Sequence, residues 1–444
     1  MGWASEELGG IDLGDARLNK RAALLAERLA ESPADSIPHA CQGWAEIQAA
    51  YRLFNHECVD FWSIMNPHIQ CTMQRMSANP VVLCLQDTTT LDFQGQDIDG
   101  LGPLQFESQK GMLLHPTYVV TPGREPLGLI DSWNWAREPK QKNGKRPETI
   151  NESERWVEGY ERICESAAQL PDTRCIYVGD RESDMLALMR RAVALDHPAD
   201  WLVRARHDRA LPDGRKLFAS VAEQKPSGTV NFRFRPRRGV KERDVVQHVY
   251  VQRVTISDKN GDAVEASCVI AREQNPPEGM KPVEWRLLSN RAVEDLDQAA
   301  ELINWYRARW EIEMYFDILK NGCKVESLQL KRLASLEVAL AIFMIVAWRI
   351  NRLMRLGRQC PGMEASLVFE ADEIRAAYAM NRKKVPKDTV PTINEVVRLV
   401  AMAGGFIGRK SDGEPGAKTL WRGLEKIMSF ADGLRYARAN PETG

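Results

Sequence analysis

The sequence predicts an α/β protein with a mixed sheet in the middle of the chain, a β-rich insertion in that sheet, and a helical domain at each end. Two apolar runs, VVLCLQD (Val81–Asp87) and CIYVGD (Cys175–Asp180), do not alternate, and each ends on an acid, as strands covered on both faces do. A helical pattern lies between them, which implies parallel neighbours joined by a right-handed crossover with their acidic ends side by side. The period is helical before Pro80 and again after Leu333. The boundaries drawn are 1–70 for the N-terminal helical domain, 71–330 for the sheet with an insertion at about 211–290, and 331–444 for the C-terminal helices.

In chain order, DARLNKRAALLAERLAE sets Leu18, Ala22, Leu25 and Leu29 on one helical face, with Arg17, Lys20, Arg21 and Arg28 largely off it. A second helix, CQGWAEIQAAYRLFNH, is expected to be capped near Ser36, with the helical region closing at about Pro67. Strands follow at Val81–Asp87, Thr88–Phe93, Leu113–Val120 and Pro126–Trp135, with TPGREP as the last turn. A helix at Ser153–Leu170 leads to CIYVGD, a helix at Ser183–Val193 follows, and WLVRAR (Trp201–Arg206) is a third short strand. Between Leu211 and Asn290 the chain is polar and β-rich, broken by PSG, DKNGD and NPPEG, and reads as an inserted antiparallel meander. The C-terminal part reads as LEVALAIFMIVAWRINRLMRL, FEADEIRAAYAMN, TINEVVRLVAMAGGF and a last helix at Lys418–Arg438. In that helix Leu420, Leu424, Ile427, Ala431 and Leu434 form a seam that serves either internal packing or a partner.

At 444 residues the chain has room for two or three domains. No run of about 18 apolar residues stands out, and the N-terminus lacks a signal peptide's basic start and apolar middle, so the expectation is a cytoplasmic protein without a membrane partner. Nine scattered cysteines, never spaced CxxC, indicate neither zinc nor a disulfide framework. Net charge is only −1, but cations gather at Arg17–Arg28, Arg137–Arg146, Arg204–Arg209 and Arg233–Arg243, a pattern suited to local phosphate contacts.

The stretch Ile303–Lys324, read as one helix, puts Tyr306, Arg309, Glu313 and Lys320 on one strip, while Ile303, Trp310, Met314, Phe316 and Ile318 hold the other side to the protein. A carboxylate between two cations and a phenol suits a divalent metal beside a phosphate. The same spacing also describes a solvated face of ion pairs. Asp87 and Asp180 at adjacent strand ends, with Glu313 on the later helix, form a set of three acids that one fold can gather. Such a set is unfavourable without cations, and oxygen-only ligation favours Mg²⁺ or Mn²⁺.

LQDTTTLDF, VGDRESD and the spacing Tyr306-(2)-Arg309-(3)-Glu313-(6)-Lys320 resemble the three catalytic motifs of the insertion-sequence-four family of bacterial cut-and-paste DDE transposases. NPPEGMKPVEWRLL resembles the segment before the acidic helix in those enzymes, and the likeness runs from LGDARLNKR to the C-terminal helices. The resemblance implies a ribonuclease-H-like sheet, an N-terminal domain that reads terminal inverted repeats through residues such as Arg17, Lys20 and Arg21, and a C-terminal dimerisation region. It implies that Asp87, Asp180 and Glu313 hold two Mg²⁺ ions, for which Mn²⁺ can substitute. Tyr306, Arg309 and Lys320 would grip the phosphate at the transposon end, Arg204 would contact DNA nearby, and Trp285 would stack a flipped base during hairpin formation. Where this chain has Asp317 a relative carries lysine, so the resemblance implies that one cationic DNA contact is absent or replaced here.

The implied activity is excision from double-stranded DNA and joining to target DNA by a homodimer in a synaptic complex, in the bacterial cytoplasm and associated with the nucleoid when on DNA. Two other readings fit the same residues: a nuclease of the same fold without strand transfer, and an inactive domesticated copy that regulates by binding DNA.

Overall fold

The computed structural model describes residues 2–140, 151–234, 243–257, 263–387, 389–409 and 412–440. The basic runs called at Arg137–Arg146 and Arg233–Arg243, and the DKNGD turn, fall wholly or largely outside them.

Five helices open the chain: α1 (Trp3–Glu7), α2 (Ala16–Glu31), α3 (Ile37–Ala40), α4 (Trp44–Phe54) and α5 (Phe61–Ser77). The Asp15 side chain caps α2 by accepting from the Arg17 amide, and Leu18, Ala22, Leu25 and Leu29 are buried as their spacing predicts. Ser36 precedes the short α3 and not the second long helix. The chain turns at Gly43, whose φ of 89° belongs to the left-handed region, and α4 begins after it. Asp60 and Ser63 form a capping box for α5, which runs through Pro67 to Ser77, so the boundary drawn at residue 70 falls inside a helix.

The join between α1 and α5 is a buried polar group. Both Glu7 oxygens accept from Arg75, at 2.8 and 2.9 Å, and Glu7 Oε1 is 2.5 Å from His68 Nδ1. His68 Nε2 accepts from the Leu129 amide at 3.1 Å, so the imidazole is neutral and Arg75 supplies the balancing charge. Burial opposes the Glu7 charge, but the bonds from His68 and Arg75 hold its carboxyl at about 2. A depressed folded value stabilises above the unfolded value of about 4.5 and is lost as pH falls towards 2. Glu7→Gln is therefore expected to cost about 2 kcal/mol at pH 7 and much less at pH 2.5, read from urea melts at both values. An equal loss at both would rule out the charge as its source.

The middle of the chain builds one sheet from β1 (Val81–Gln86), β2 (Thr89–Asp92), β3 (Gly102–Pro103), β4 (Lys110–Val120) and β5 (Pro126–Trp135), then β6 (Arg174–Gly179), β7 (Asp200–Arg204), β8 (Gly228–Phe234), β9 (Arg243–Ser257), β10 (Ala263–Glu273) and β11 (Glu284–Ser289). Between strands lie α6 (Glu154–Ala168), α7 (Leu186–Ala194) and α8 (Leu217–Ala222). The helix expected from Ser183 divides into a 3₁₀ turn at Arg181–Ser183 and α7. β4 pairs antiparallel with β1, β1 parallel with β6, and β6 parallel with β7. The expected meander is present as β8–β11, but its last strand pairs with β7, so it extends the central sheet edge to edge, and the helix α8 precedes it.

Helices cover both faces, which is why β1 and β6 do not alternate. Val82, Cys84, Cys175 and Tyr177 pack with Trp156 and Tyr160 of α6 and with Leu188 of α7. Leu83, Leu85, Ile176 and Val178 turn the other way, into the core that the later helices share.

Those later helices are α9 (Leu296–Ala308), α10 (Trp310–Asp317), α11 (Leu333–Gln359), α12 (Ala371–Met380), α13 (Ile393–Ala403) and α14 (Ala417–Ala439). Contrary to the sequence expectation, α11 is long and apolar enough by length and composition to cross a membrane. Its apolar stretch lies within the protein, with Val338–Val346 buried among neighbouring elements. On α14, Leu420, Leu424, Ile427 and Ala431 are buried against this chain's own helices and Leu434 is partly buried, so the seam packs internally.

Candidate active site

β1 and β6 run parallel in the register Leu85↔Val178, and two residues further along each strand come Asp87 and Asp180. Asp87 Oδ1 accepts from the Thr88 amide at 2.8 Å, and Asp180 Oδ1 accepts from the Glu182 amide at 2.7 Å. The amides of Thr88 and Glu182 thus each hold one oxygen of a strand-end carboxylate; Asp180 opens a 3₁₀ turn, whereas the chain at Asp87 runs on into β2 along the same partner strand β4.

Glu313 arrives from α10. The predicted Ile303–Lys324 helix in fact starts at Leu296, where Asp295 accepts from the Gln298 amide, and it is interrupted at Arg309 between α9 and α10. Tyr315 stacks on Tyr118 of β4 with ring centres 4.6 Å apart, and Glu311 pairs with Arg355 of α11. These contacts hold α10 over the sheet. Trp310, expected to anchor the helix, is 48% exposed, while Glu311 is 2% exposed because Arg355 reaches it. Ile303, Phe316 and Ile318 are buried as expected, and Met314 is partly buried.

At the strand ends Arg309 binds two of the acids. Its Nη1 donates to Asp87 Oδ2 at 2.7 Å and its Nη2 donates to Glu313 Oε1. Asp87 and Glu313 thus share one guanidinium, while Asp180, on the neighbouring strand end, is close enough to act on the Asp87 charge but is not bonded to Arg309. Among the described residues, no three acid, histidine or cysteine side chains already stand as a ready-made metal cluster. Burial pushes the Asp87 carboxyl up to about 6; Arg309 works against this, while Asp180 and Glu313 add to it. Tyr306 is buried beside Arg204, Arg309 and Asp180, and burial raises its hydroxyl above the usual phenol range. Lys320 lies in a wide π-helical turn, Ile318–Gly322, where its Nζ donates to the Thr90 carbonyl at 2.8 Å and pairs with Glu326 at 3.1 Å.

Trp285 stands apart, on β11. It stacks on Phe232 at 5.2 Å, and the Arg307 guanidinium lies 5.0 Å from the Phe232 ring. The three residues border a cavity of ≈ 250 Å³ against α9. Phe232 and Arg307 escaped sequence reasoning, because only strand pairing and the fold of α9 bring them to Trp285. In the N-terminal domain Arg17 and Lys20 are exposed and Arg21 is half-buried, whereas Arg28 is engaged by Glu31, Glu46 and Asp432.

Three family descriptions match in sequence order: transposase DNA-binding over residues 1–59, transposase DDE domain over 151–349, and transposase Tn5 dimerisation domain over 345–444. The chain carries the domain set of a DDE transposase. Asp180 and Glu313 lie within the DDE match, and Asp87 lies in the stretch between the first two matches. Among solved structures, the cryo-EM structure of a piggyBac transposase synaptic complex with hairpin DNA is similar at 11% identity. The match covers 84% of this chain and 59% of that one, with a TM-score of 0.34, below the level at which a shared fold follows.

The donor set at these strand ends suits a hard divalent cation. It consists of carboxylate oxygens alone, and the Asp87 carboxyl is raised chiefly by burial, with Asp180 and Glu313 adding to it against Arg309.

Proposed function

We propose that this transposase binds the terminal inverted repeats of an insertion sequence, excises the element by metal-dependent hydrolysis and transesterification through a hairpin, and joins its 3′-OH ends to target DNA. The observation that carries this reading is the meeting of Asp87, Glu313 and Arg309 at the ends of β1 and α10, with Asp180 on the neighbouring strand end. The motif spacing that resembles the insertion-sequence-four family belongs to the same proposal. A ribonuclease-H-like fold is supported by the strand order β5-β4-β1-β6-β7, antiparallel as far as β1 and parallel beyond it.

Asp87, Asp180 and Glu313 would hold two divalent ions, Mg²⁺ with Mn²⁺ as substitute, whose charge would activate the attacking oxygen and stabilise the departing one. Arg309, Arg204 and Lys320 offer N–H donors to a phosphate, and Tyr306, its proton held by burial, offers an O–H. In exchanging carboxylate oxygens for phosphate oxygens, Arg309 would free Asp87 and Glu313 as ligands. The Trp285–Phe232 pair with Arg307 would receive an extruded base. Water would cut one strand, the freed 3′-OH would attack the opposite strand to form the hairpin, a second water would open it, and the 3′-OH would attack target DNA. All four are in-line displacements at phosphorus and can share one site. The synaptic species would be a homodimer, acting in the cytoplasm on nucleoid DNA.

Incubating the protein with a labelled transposon end, a target plasmid and Mg²⁺ should give nicked, hairpin and joined products on a denaturing gel. Cutting without joining of precut ends would favour a nuclease, and end binding without cutting a DNA-binding regulator.

A further inference from the structure

Behind the strand ends lies a buried arginine that neither the motifs nor the resemblance assigns a role. Arg155 opens α6; its Nε donates to Thr88 Oγ1 at 3.0 Å and its Nη2 to Glu182 Oε2 at 2.8 Å. Its Nη1 donates to the Glu152 carbonyl, and the guanidinium lies 5.1 Å from the Trp156 ring and 5.7 Å from the Trp135 ring. Thr88 follows Asp87 and gives it its amide bond; Glu182 gives the corresponding bond to Asp180. One fork thus ties together the two residues whose amides orient the strand-end acids.

The bonds beyond Thr88 fix the direction of this fork. Because Arg155 is only a donor, Thr88 Oγ1 accepts from it and turns its own proton to His115 Nδ1, 2.9 Å away. His115 is buried and, with Arg155 near, stays below the usual imidazole range, so its Nε2–H faces Gln86 Oε1 at 3.3 Å. Gln86 Nε2 then donates to Thr117 Oγ1 at 2.7 Å. Each bond in the run thus has one donor and one acceptor, and the order is set from the arginine end. A buried guanidinium is costly, and an apolar residue packed against Trp156 would cost less.

We propose that Arg155 is a positioning residue that, by tying Thr88 to Glu182, holds Asp87 and Asp180 in register, so that their carboxylates meet a divalent ion at the right separation. This rests on the reading of those acids as metal ligands. Second-layer groups of this kind typically govern metal affinity by ten- to a hundredfold.

The test uses the full-length protein. Arg155→Lys keeps the charge but lacks the fork, so it cannot serve Thr88 and Glu182 together. Mn²⁺ titration of the DNA-free protein by electron paramagnetic resonance should show a half-saturating concentration raised by about tenfold or more. Cleavage of a labelled end should lose kcat with unchanged KM for DNA. Thr88→Val should shift Mn²⁺ binding in the same direction, and the double variant should be no worse than the poorer single one. Should Arg155→Lys fail to fold, Glu182→Ala removes the other end of the tie at a mostly exposed carboxylate and must show the same shift. Wild-type Mn²⁺ affinity and kcat in these variants, with only a lower melting temperature, would overturn the proposal. Absence of Mn²⁺ binding and cutting in the wild type would instead sink the metal-site reading on which it rests.

Discussion

Glu313→Gln is expected to slow metal-dependent end cleavage by more than about a thousandfold, which corresponds to roughly 4 kcal/mol in the barrier. The substitution keeps the size of the side chain and an oxygen that can still accept from Arg309 Nη2, so the α9–α10 junction should survive it. What it removes is one negative charge from the set proposed to collect divalent cations at a scissile phosphate. End binding should be nearly unchanged, because the proposed repeat-reading surface lies on α2, with Arg17 and Lys20 exposed. A denaturing gel of a labelled end reads the first quantity and a gel shift the second. Nicking by the variant at the wild-type rate would remove Glu313 from the reaction centre and leave the three-acid set without its third member.

How much of this was legible in the sequence depends on whether the cause of each feature is local. VVLCLQD and CIYVGD announce themselves as strands because both faces are covered, and burial on both sides leaves a continuous apolar run. Their parallel pairing follows from the helix between them. The docking of β11 on β7 was not legible, because an antiparallel meander carries no mark of which edge it will join. Periodicity found the helical strip from Tyr306 to Lys320 but misplaced its anchor. Trp310 is exposed and Glu311 buried, since the partner that makes burial of a carboxylate tolerable, Arg355, lies a helix away. Spacing and the motif resemblance marked Arg309 as a phosphate ligand, but its fork between Asp87 and Glu313 exists only once β1 and α10 are brought together. Arg155 and Phe232 gave no signal at all, because their roles exist only through contacts from other elements.

The second large effect is expected where the first domain meets the last helix. Glu31 ends α2, and its neighbours are unevenly charged: Arg28 is shared among Glu31 at 3.0 Å, Glu46 at 3.3 Å and Asp432 at 3.4 Å. Arg435 pairs with Asp432 at 2.7 Å and Glu370 at 2.8 Å and only approaches Glu31, at 3.9 Å. Burial and the charge of Asp432 therefore push the Glu31 carboxyl up to about 7, although Arg28 and Arg435 pull the other way. Arg28 itself is raised above its ordinary value by the same acids, despite burial. The two shifts are consistent, because one cation surrounded by three acids is well served while the acid at the crowded edge is not. A carboxylate at a helix C-terminus also opposes the helix dipole. A folded value raised above the unfolded value of about 4.5 gives stability that is complete below pH 4.5 and is lost as pH rises through 7. The loss amounts to about 3 kcal/mol by pH 8.5. Glu31→Gln abolishes that dependence: it should leave urea stability nearly unchanged at pH 4.5 and raise it by up to about 3 kcal/mol at pH 8.5. A variant destabilised at pH 8.5 would mean that Glu31 is a satisfied ion-pair partner of Arg28, and that the α2–α14 contact tightens with pH instead of loosening.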